Sequence, residues 1–163
     1  MNSKTLFAFV LVNICIITVT AQVYNYGVTV RTASKKFDSH DGKLKLSITS
    51  PNSDNSKKNT AQEFVLTPND IKIKREKIYT ATISSIAPLQ NITSVYLRWT
   101  LASPYNPYYA INKPKIYFDS VTLSTATLNP YTHLASSESR KFCPTTIPIG
   151  IKHADGATFN SCF

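Results

Sequence analysis

From residue 24 onward the apolar positions recur at every second residue. Tyr24, Tyr26, Val28 and Val30 alternate with Asn25, Gly27, Thr29 and Arg31. Leu44, Leu46 and Ile48 alternate with Lys43, Lys45, Ser47 and Thr49, and Val95, Leu97 and Trp99 with Tyr96, Arg98 and Thr100. Shorter runs stand at 62–67 around Phe64 and Leu66, and at 77–84 around Ile78, Thr80, Thr82 and Ile83. A longer run at 115–124 holds Ile116, Phe118, Val121 and Leu123, and its period breaks at Asp119, which predicts a bulge there. A period of two, rich in β-branched and aromatic residues, marks strands with one buried face. Turn material separates the runs: Asp41-Gly42, the stretch 50–55, Pro68-Asn69-Asp70, and a loop from Pro104 to Pro114. The polar stretch from Ser124 to Ser139 reads as a long loop. No segment carries three turns of helical periodicity, and there is no internal repeat. Seven or eight short strands without a helix predict an all-β sandwich or barrel. One apolar face per strand favours two sheets packed face to face. Trp99, the only tryptophan, has apolar partners two and four residues earlier and is expected to pack inward.

The first 21 residues follow a different pattern. Lys4 precedes an apolar run through Leu6–Val12 and Ile14–Val19, and Val19-Thr20-Ala21 ends in small residues. This is the pattern of a secretory leader cut after Ala21, with a single domain over 22–163 and an extracellular location. A signal anchor is the alternative, but the run is short for a membrane span and lacks a basic stop. Cys15 leaves with such a leader. Cys143 and Cys162 then form an even pair in an oxidising compartment, where one disulfide is the default and free thiols or an interchain link are the alternatives. Asn91-Ile92-Thr93 is the one glycosylation sequon, placed between apolar runs and so expected on an exposed loop.

Composition removes several enzyme classes. The four glycines stand at 27, 42, 150 and 156, and the closest pair is six apart. A nucleophile elbow needs two glycines four apart and a P-loop two five apart, so both are excluded, as is the dinucleotide fingerprint. His40, His133 and His153 are too scattered for a local metal motif. His153 beside Asp155, and His40 between Asp38 and Asp41, are the only His/Asp pairings a hydrolytic site could use. Such pairs are ordinary in polar loops. Asp38, Asp41 and Asp54 are the only loosely gathered carboxylates, and the lysines among them oppose a calcium site. The expectation is a non-catalytic chain without metal or cofactor.

The order of features is familiar. An aromatic first strand is followed by Lys43-Leu44-Lys45-Leu46-Ser47-Ile48, then Glu63-Phe64-Val65-Leu66, then Val95-Tyr96-Leu97-Arg98-Trp99. An aromatic, proline-rich loop and Lys115-Ile116-Tyr117-Phe118 come next, and the chain closes with Lys141-Phe142-Cys143-Pro144 and a terminal cysteine. This resembles the C-terminal PLAT, or LH2-type, domain of the pancreatic and lipoprotein lipase family, over nearly the whole of 24–162. The strand ending in Trp99 and the Phe-Cys before a last Cys are its more specific anchors. The resemblance implies an eight-stranded antiparallel β-sandwich with Cys143 bonded to Cys162. It also implies that catalysis belongs to a separate hydrolase domain, so that this chain looks like the accessory domain alone. Some PLAT domains bind calcium. Two departures stand out. The stretch 124–139 looks like an insertion, and Gln90-Asn91-Ile92-Thr93 replaces the acidic, glycine-containing turn that can face the catalytic domain.

Two surfaces are candidates for binding. The loop after Trp99 carries Tyr105, Tyr108 and Tyr109 with Lys113 and Lys115 beside it. In lipoprotein lipase the corresponding loop is aromatic and engages lipid. Tyrosine has an apolar body and a polar tip, which suits a membrane–water boundary, and lysines next to it suit anionic head groups. Tyrosines packed over the end of the domain, or presented to a protein, are the alternative. The second surface is the run Lys72, Lys74, Arg75 and Lys77, with Glu76 the only acid among them, joined by the pairs Lys35-Lys36 and Lys57-Lys58. With 18 Lys+Arg against 9 Asp+Glu, the chain attracts polyanions. Heparin-like glycans or anionic lipid fit a secreted chain, nucleic acid does not, and a merely solvated face is the alternative. The leading expectation is a lipid- or membrane-surface binding module. A protein- or glycosaminoglycan-interaction module, acting as a lipase accessory, receptor ligand or secreted effector, is the second.

Overall fold

Each alternating run forms a strand, and in the runs around Val28, Leu46, Leu97 and Ile116 the apolar positions are the buried ones; in the run at 77–84 Ile83 is buried, but Ile78, Thr80 and Thr82 face outward. The structure is a computed structural model that describes residues 22–51, 60–105, 107–128 and 135–162. The expected leader over 1–21, Asp54, the Lys57-Lys58 pair, His133 and the middle of the 124–139 stretch lie outside the described residues. The strands are β1 (Tyr24–Thr32), β2 (His40–Ser50), β3 (Thr60–Val65), β4 (Ile71–Ile73), β5 (Ile78–Ser85), β6 (Ser94–Leu101), β7 (Lys115–Leu128), β8 (Ala135–Cys143), β9 (Ile149–Lys152) and β10 (Gly156–Ser161). A 3-10 turn spans Leu89–Asn91, and α1 (Pro107–Ile111) is a single helical turn.

All the pairings are antiparallel and join the ten strands into one sheet, in the order β3-β2-β6-β10-β8-β7-β1-β5, with β4 on β2 and β9 on β7. Inward residues from both halves of that path make one core. Leu44, Leu46 and Ile48 of β2 and Val95, Leu97 and Trp99 of β6 join Tyr26, Val28 and Val30 of β1 and Val121 and Leu123 of β7. Burying each large side chain contributes about 1.5–3 kcal/mol, and a slip of one residue would expose a whole row, so the registers are strongly specified. Two polar groups carried into the core find backbone partners, whereas the buried Arg98 Nε has none. The Trp99 indole N–H donates to the Ile151 carbonyl at 2.8 Å, and the Tyr26 hydroxyl to the Ala87 carbonyl at 2.7 Å. Burial pushes the Tyr26 phenol up to about 12, which keeps it a neutral donor.

The bulge at Asp119 is present: Arg31 pairs with Ser120 and Thr32 with Phe118, leaving Asp119 unpaired in the ladder. Four expectations change. Among the described residues the strands number ten rather than eight; β4 and β9, three and four residues long, are too brief for alternation to be read. Asp41-Gly42 is not a turn but lies inside β2, paired with β4 on one side. A side chain on Gly42 would collide with the Thr100 carbonyl, so the glycine serves a close approach of β2 to β6. The loop expected over 124–139 is largely a hairpin, paired from Ser124↔Ser139 to Leu128↔Ala135. Backbone hydrogen bonds hold such a ribbon whatever its side chains, which is why its polar composition hid it. The loop 104–114 contains α1, whose first residue is proline, the residue most at ease at the start of a helix.

Candidate functional site

The ends of several strands meet at one end of the molecule and place the candidate residues together. The loop between β6 and β7 is tied at both ends. The Ala102 N–H donates to the Asp41 carbonyl at 2.9 Å, and the His153 N–H to the Pro114 carbonyl at 2.9 Å. Between these ties the loop projects its side chains. Tyr105 is 93% exposed, Tyr108 65% and Ile111 85%. Tyr109 turns inward instead. Its ring meets His40 edge-on at 6.0 Å, and His40 stacks on the buried Trp99 at 6.0 Å. His153 approaches Trp99 from elsewhere at 5.9 Å, and its Nδ1 accepts the Leu101 N–H at 3.1 Å. A column of rings therefore runs from the core to the loop, with Tyr108 packed edge-on against Tyr109 at its outer end.

Lys72, Lys74, Arg75 and Lys77 are exposed on β4 and the turn that follows it. The buried Thr32 fastens that turn: its hydroxyl donates to the Lys74 carbonyl at 2.7 Å and accepts the Lys77 N–H at 2.9 Å. Tyr79 braces it from below, accepting the Lys74 N–H at 2.7 Å and donating to the Lys72 carbonyl at 3.1 Å. Burial raises the Tyr79 phenol, so this donor also stays protonated. Ala33 then accepts from the Glu76 N–H and donates to the Tyr117 carbonyl, which brings the segment after β1, with Lys35 and Lys36, between the basic turn and β7. The two surfaces separate in the sequence are one region in space. Among the described residues the ion pairs are Arg31–Asp119 and Lys45–Glu63, and neither uses a lysine of this region.

A cleft of about 430 Å³ opens between α1 and the segment after β1. Phe37, Tyr108, Tyr109 and Tyr117 form its aromatic lining, and Lys36, Lys113, Lys115, Asp38, His40 and Asn112 its polar one. The Lys35 and Lys115 ammonium groups lie over the Tyr117 ring, at 4.5 and 5.3 Å from its centre. Gly150 makes room for this, since a side chain there would strike the Lys115 stem and the Tyr117 ring. The cleft was not anticipated from the sequence. Lys35-Lys36 was visible as a basic pair and Lys113 with Lys115 as neighbours of the loop, but no local signal joins residues about eighty positions apart.

The remaining candidate residues stand elsewhere. Cys143 and Cys162 are bonded, with Cα atoms 5.6 Å apart. Asn91 is exposed at the end of the 3-10 turn, and Thr93 donates both its N–H and its hydroxyl to the Thr49 carbonyl. Thr49 lies at the opposite end of β2 from His40, about 30 Å away along the strand, so a sugar on Asn91 would leave the basic end uncovered. Asp38 and Asp41 flank His40 as the sequence requires. Among the described residues no group of three His, Cys, Asp or Glu is placed to hold a metal ion, and no helix is long and apolar enough to cross a membrane.

Both histidines of the ring column are held below the ordinary value of 6.5. Burial is the main cause for each, assisted at His153 by Lys113 and Arg98 and opposed there by Asp155; at His40 it outweighs Asp38 and Asp41. Below pH 6.5 the unfolded chain takes up protons that the folded chain refuses, so stability is full above that pH and is lost as the pH falls towards the folded values. The denaturation midpoint should therefore drop on mild acidification, and His153→Asn, which keeps an acceptor for the Leu101 N–H, should flatten the profile. A midpoint indifferent to pH in this range would refute the coupling. No family model matches the chain, and no curated protein matches it.

Proposed function

We propose that this chain is a secreted, non-catalytic module that binds lipid or membrane surfaces through the end formed by α1 and the neighbouring lysines. One observation carries the reading: Tyr105, Tyr108 and Ile111 stand exposed on a loop tied at both ends, and Lys35, Lys36, Lys113 and Lys115 surround it. Rings and an isoleucine held out in this way can enter the headgroup region, while the lysines meet anionic groups at about 1 kcal/mol each. The shared core of the two halves of the sheet, together with the order of strands and the terminal disulfide, supports a β-sandwich of the PLAT type. The disulfide accords with an oxidising compartment.

Co-sedimentation with vesicles tests the proposal. The protein should sediment with neutral and with anionic vesicles, and part of the binding should survive physiological salt. Tyr105→Ser, Tyr108→Ser and Ile111→Ser together should weaken it by about tenfold to a hundredfold. Absence of binding to every vesicle would end the proposal. The exposed turn with Lys72, Lys74, Arg75 and Lys77 favours a second reading, a sulfated glycan partner. Salt-sensitive retention on heparin that disappears with Lys72→Gln and Lys74→Gln, alongside no vesicle binding, would favour it.

A further inference from the structure

We propose that the cleft beside α1 is a pocket for a phosphorylated polyol and, resting on the membrane-surface reading above, that the polyol is the headgroup of an anionic lipid. Charge is the first argument. Lys36, Lys113 and Lys115 line the cleft against the single carboxylate of Asp38, a surplus of two positive charges. A phosphate monoester brings about −1.5 to −2 near neutral pH and so matches that surplus, whereas a phosphodiester brings half as much.

Shape is the second. At about 430 Å³ the cleft is the size of a small-molecule site and holds one ring rather than a chain. Tyr108 and Tyr109 line the cleft with aromatic surface against which the C–H bonds of a polyol can pack, and Asn112 offers an amide for its hydroxyls. The third is preorganisation. Lys115 lies over Tyr117 in a gap that Gly150 leaves open, so its ammonium group rests beside a ring that lines the cleft before any ligand arrives. Tyr105 and Ile111 project from the same loop, so a headgroup in the cleft would leave them facing the bilayer.

The test compares vesicles of phosphatidylcholine containing phosphatidylserine with vesicles of equal surface charge containing phosphatidylinositol bisphosphate, and adds soluble inositol trisphosphate by calorimetry. The bisphosphate vesicles should bind about tenfold tighter than the charge-matched serine vesicles. Lys113→Gln with Lys115→Gln should erase that preference. Lys72→Gln with Lys74→Gln removes the same charge outside the cleft and should weaken both vesicle types alike. All four lysines are exposed, so the variants should melt as the parent does. Equal affinity for the two vesicle types, or equal loss of preference in both double variants, overturns the pocket while leaving membrane binding in place. Binding of inositol trisphosphate that depends on Lys113 and Lys115, without binding to any vesicle, upholds the pocket and overturns the membrane source. Failure of both ligands overturns both.

Discussion

Replacing Trp99 with alanine should destabilise the protein by about 3–5 kcal/mol, the range for removing a buried tryptophan. Three losses combine. The indole is fully buried among the strands of both halves, so its removal leaves a cavity. The Ile151 carbonyl loses its donor. His40 and His153 lose the ring they rest on, and Tyr109 loses its support through His40. Urea denaturation followed by circular dichroism measures the total. Trp99→Phe keeps a ring for the histidines and gives up only the hydrogen bond and part of the volume, so it should cost about 1–3 kcal/mol. A loss below 1 kcal/mol in the alanine variant would show that the column of rings does not bear on the core.

The second large effect is at the disulfide. Among the described residues β10 and β8 are paired at two positions, Asn160↔Cys143 and Ser161↔Phe142, followed by one backbone hydrogen bond from the Cys162 N–H to the Lys141 carbonyl. Those pairs join β3-β2-β6-β10 to β8-β7-β1-β5, and Cys143–Cys162 lies at that junction. The bond spans 19 residues that include β9 and β10. Closing a loop of that length constrains the unfolded chain by about 3 kcal/mol. Cys143→Ser with Cys162→Ser should lower the melting temperature by about 6–12 °C, read by calorimetry. Hydrogen exchange should show the greatest loss of protection in 149–161. An unchanged melting temperature would mean that the shared core alone closes the junction.

Much of the sheet is legible because burial on one face leaves a row of apolar side chains two apart. β1, β2 from Lys43 onward, β3, β5, β6 and the first ten residues of β7 follow from such runs, and so does the bulge, since Asp119 is where the row shifts. The remainder escapes for identifiable reasons. β4 and β9 are three and four residues long, too short for alternation to be counted. The outer β7–β8 ribbon has polar residues on both faces, so nothing in its pattern separates strand from loop. Asp41-Gly42 carries turn chemistry, yet its glycine answers to a carbonyl on another strand, Thr100.

The candidate site divides in the same way. Residue types and neighbours along the chain named the tyrosine loop and the basic run, because exposure of a proline-rich aromatic loop and repulsion within a lysine run are local properties. Their meeting is not local. It depends on Thr32 and Ala33 anchoring the basic turn, on His153 and Asp41 tying down the loop, and on Tyr117 receiving Lys35 and Lys115 from distant parts of the chain. Sequence by itself determined that the chain is an all-β protein with Trp99 inside, because alternation records which face of each strand leaves water. Only the tertiary structure decided that the tyrosine loop shares a cleft with the segment after β1 and has the basic turn for a neighbour, because which strand ends come together depends on pairing across the whole sheet.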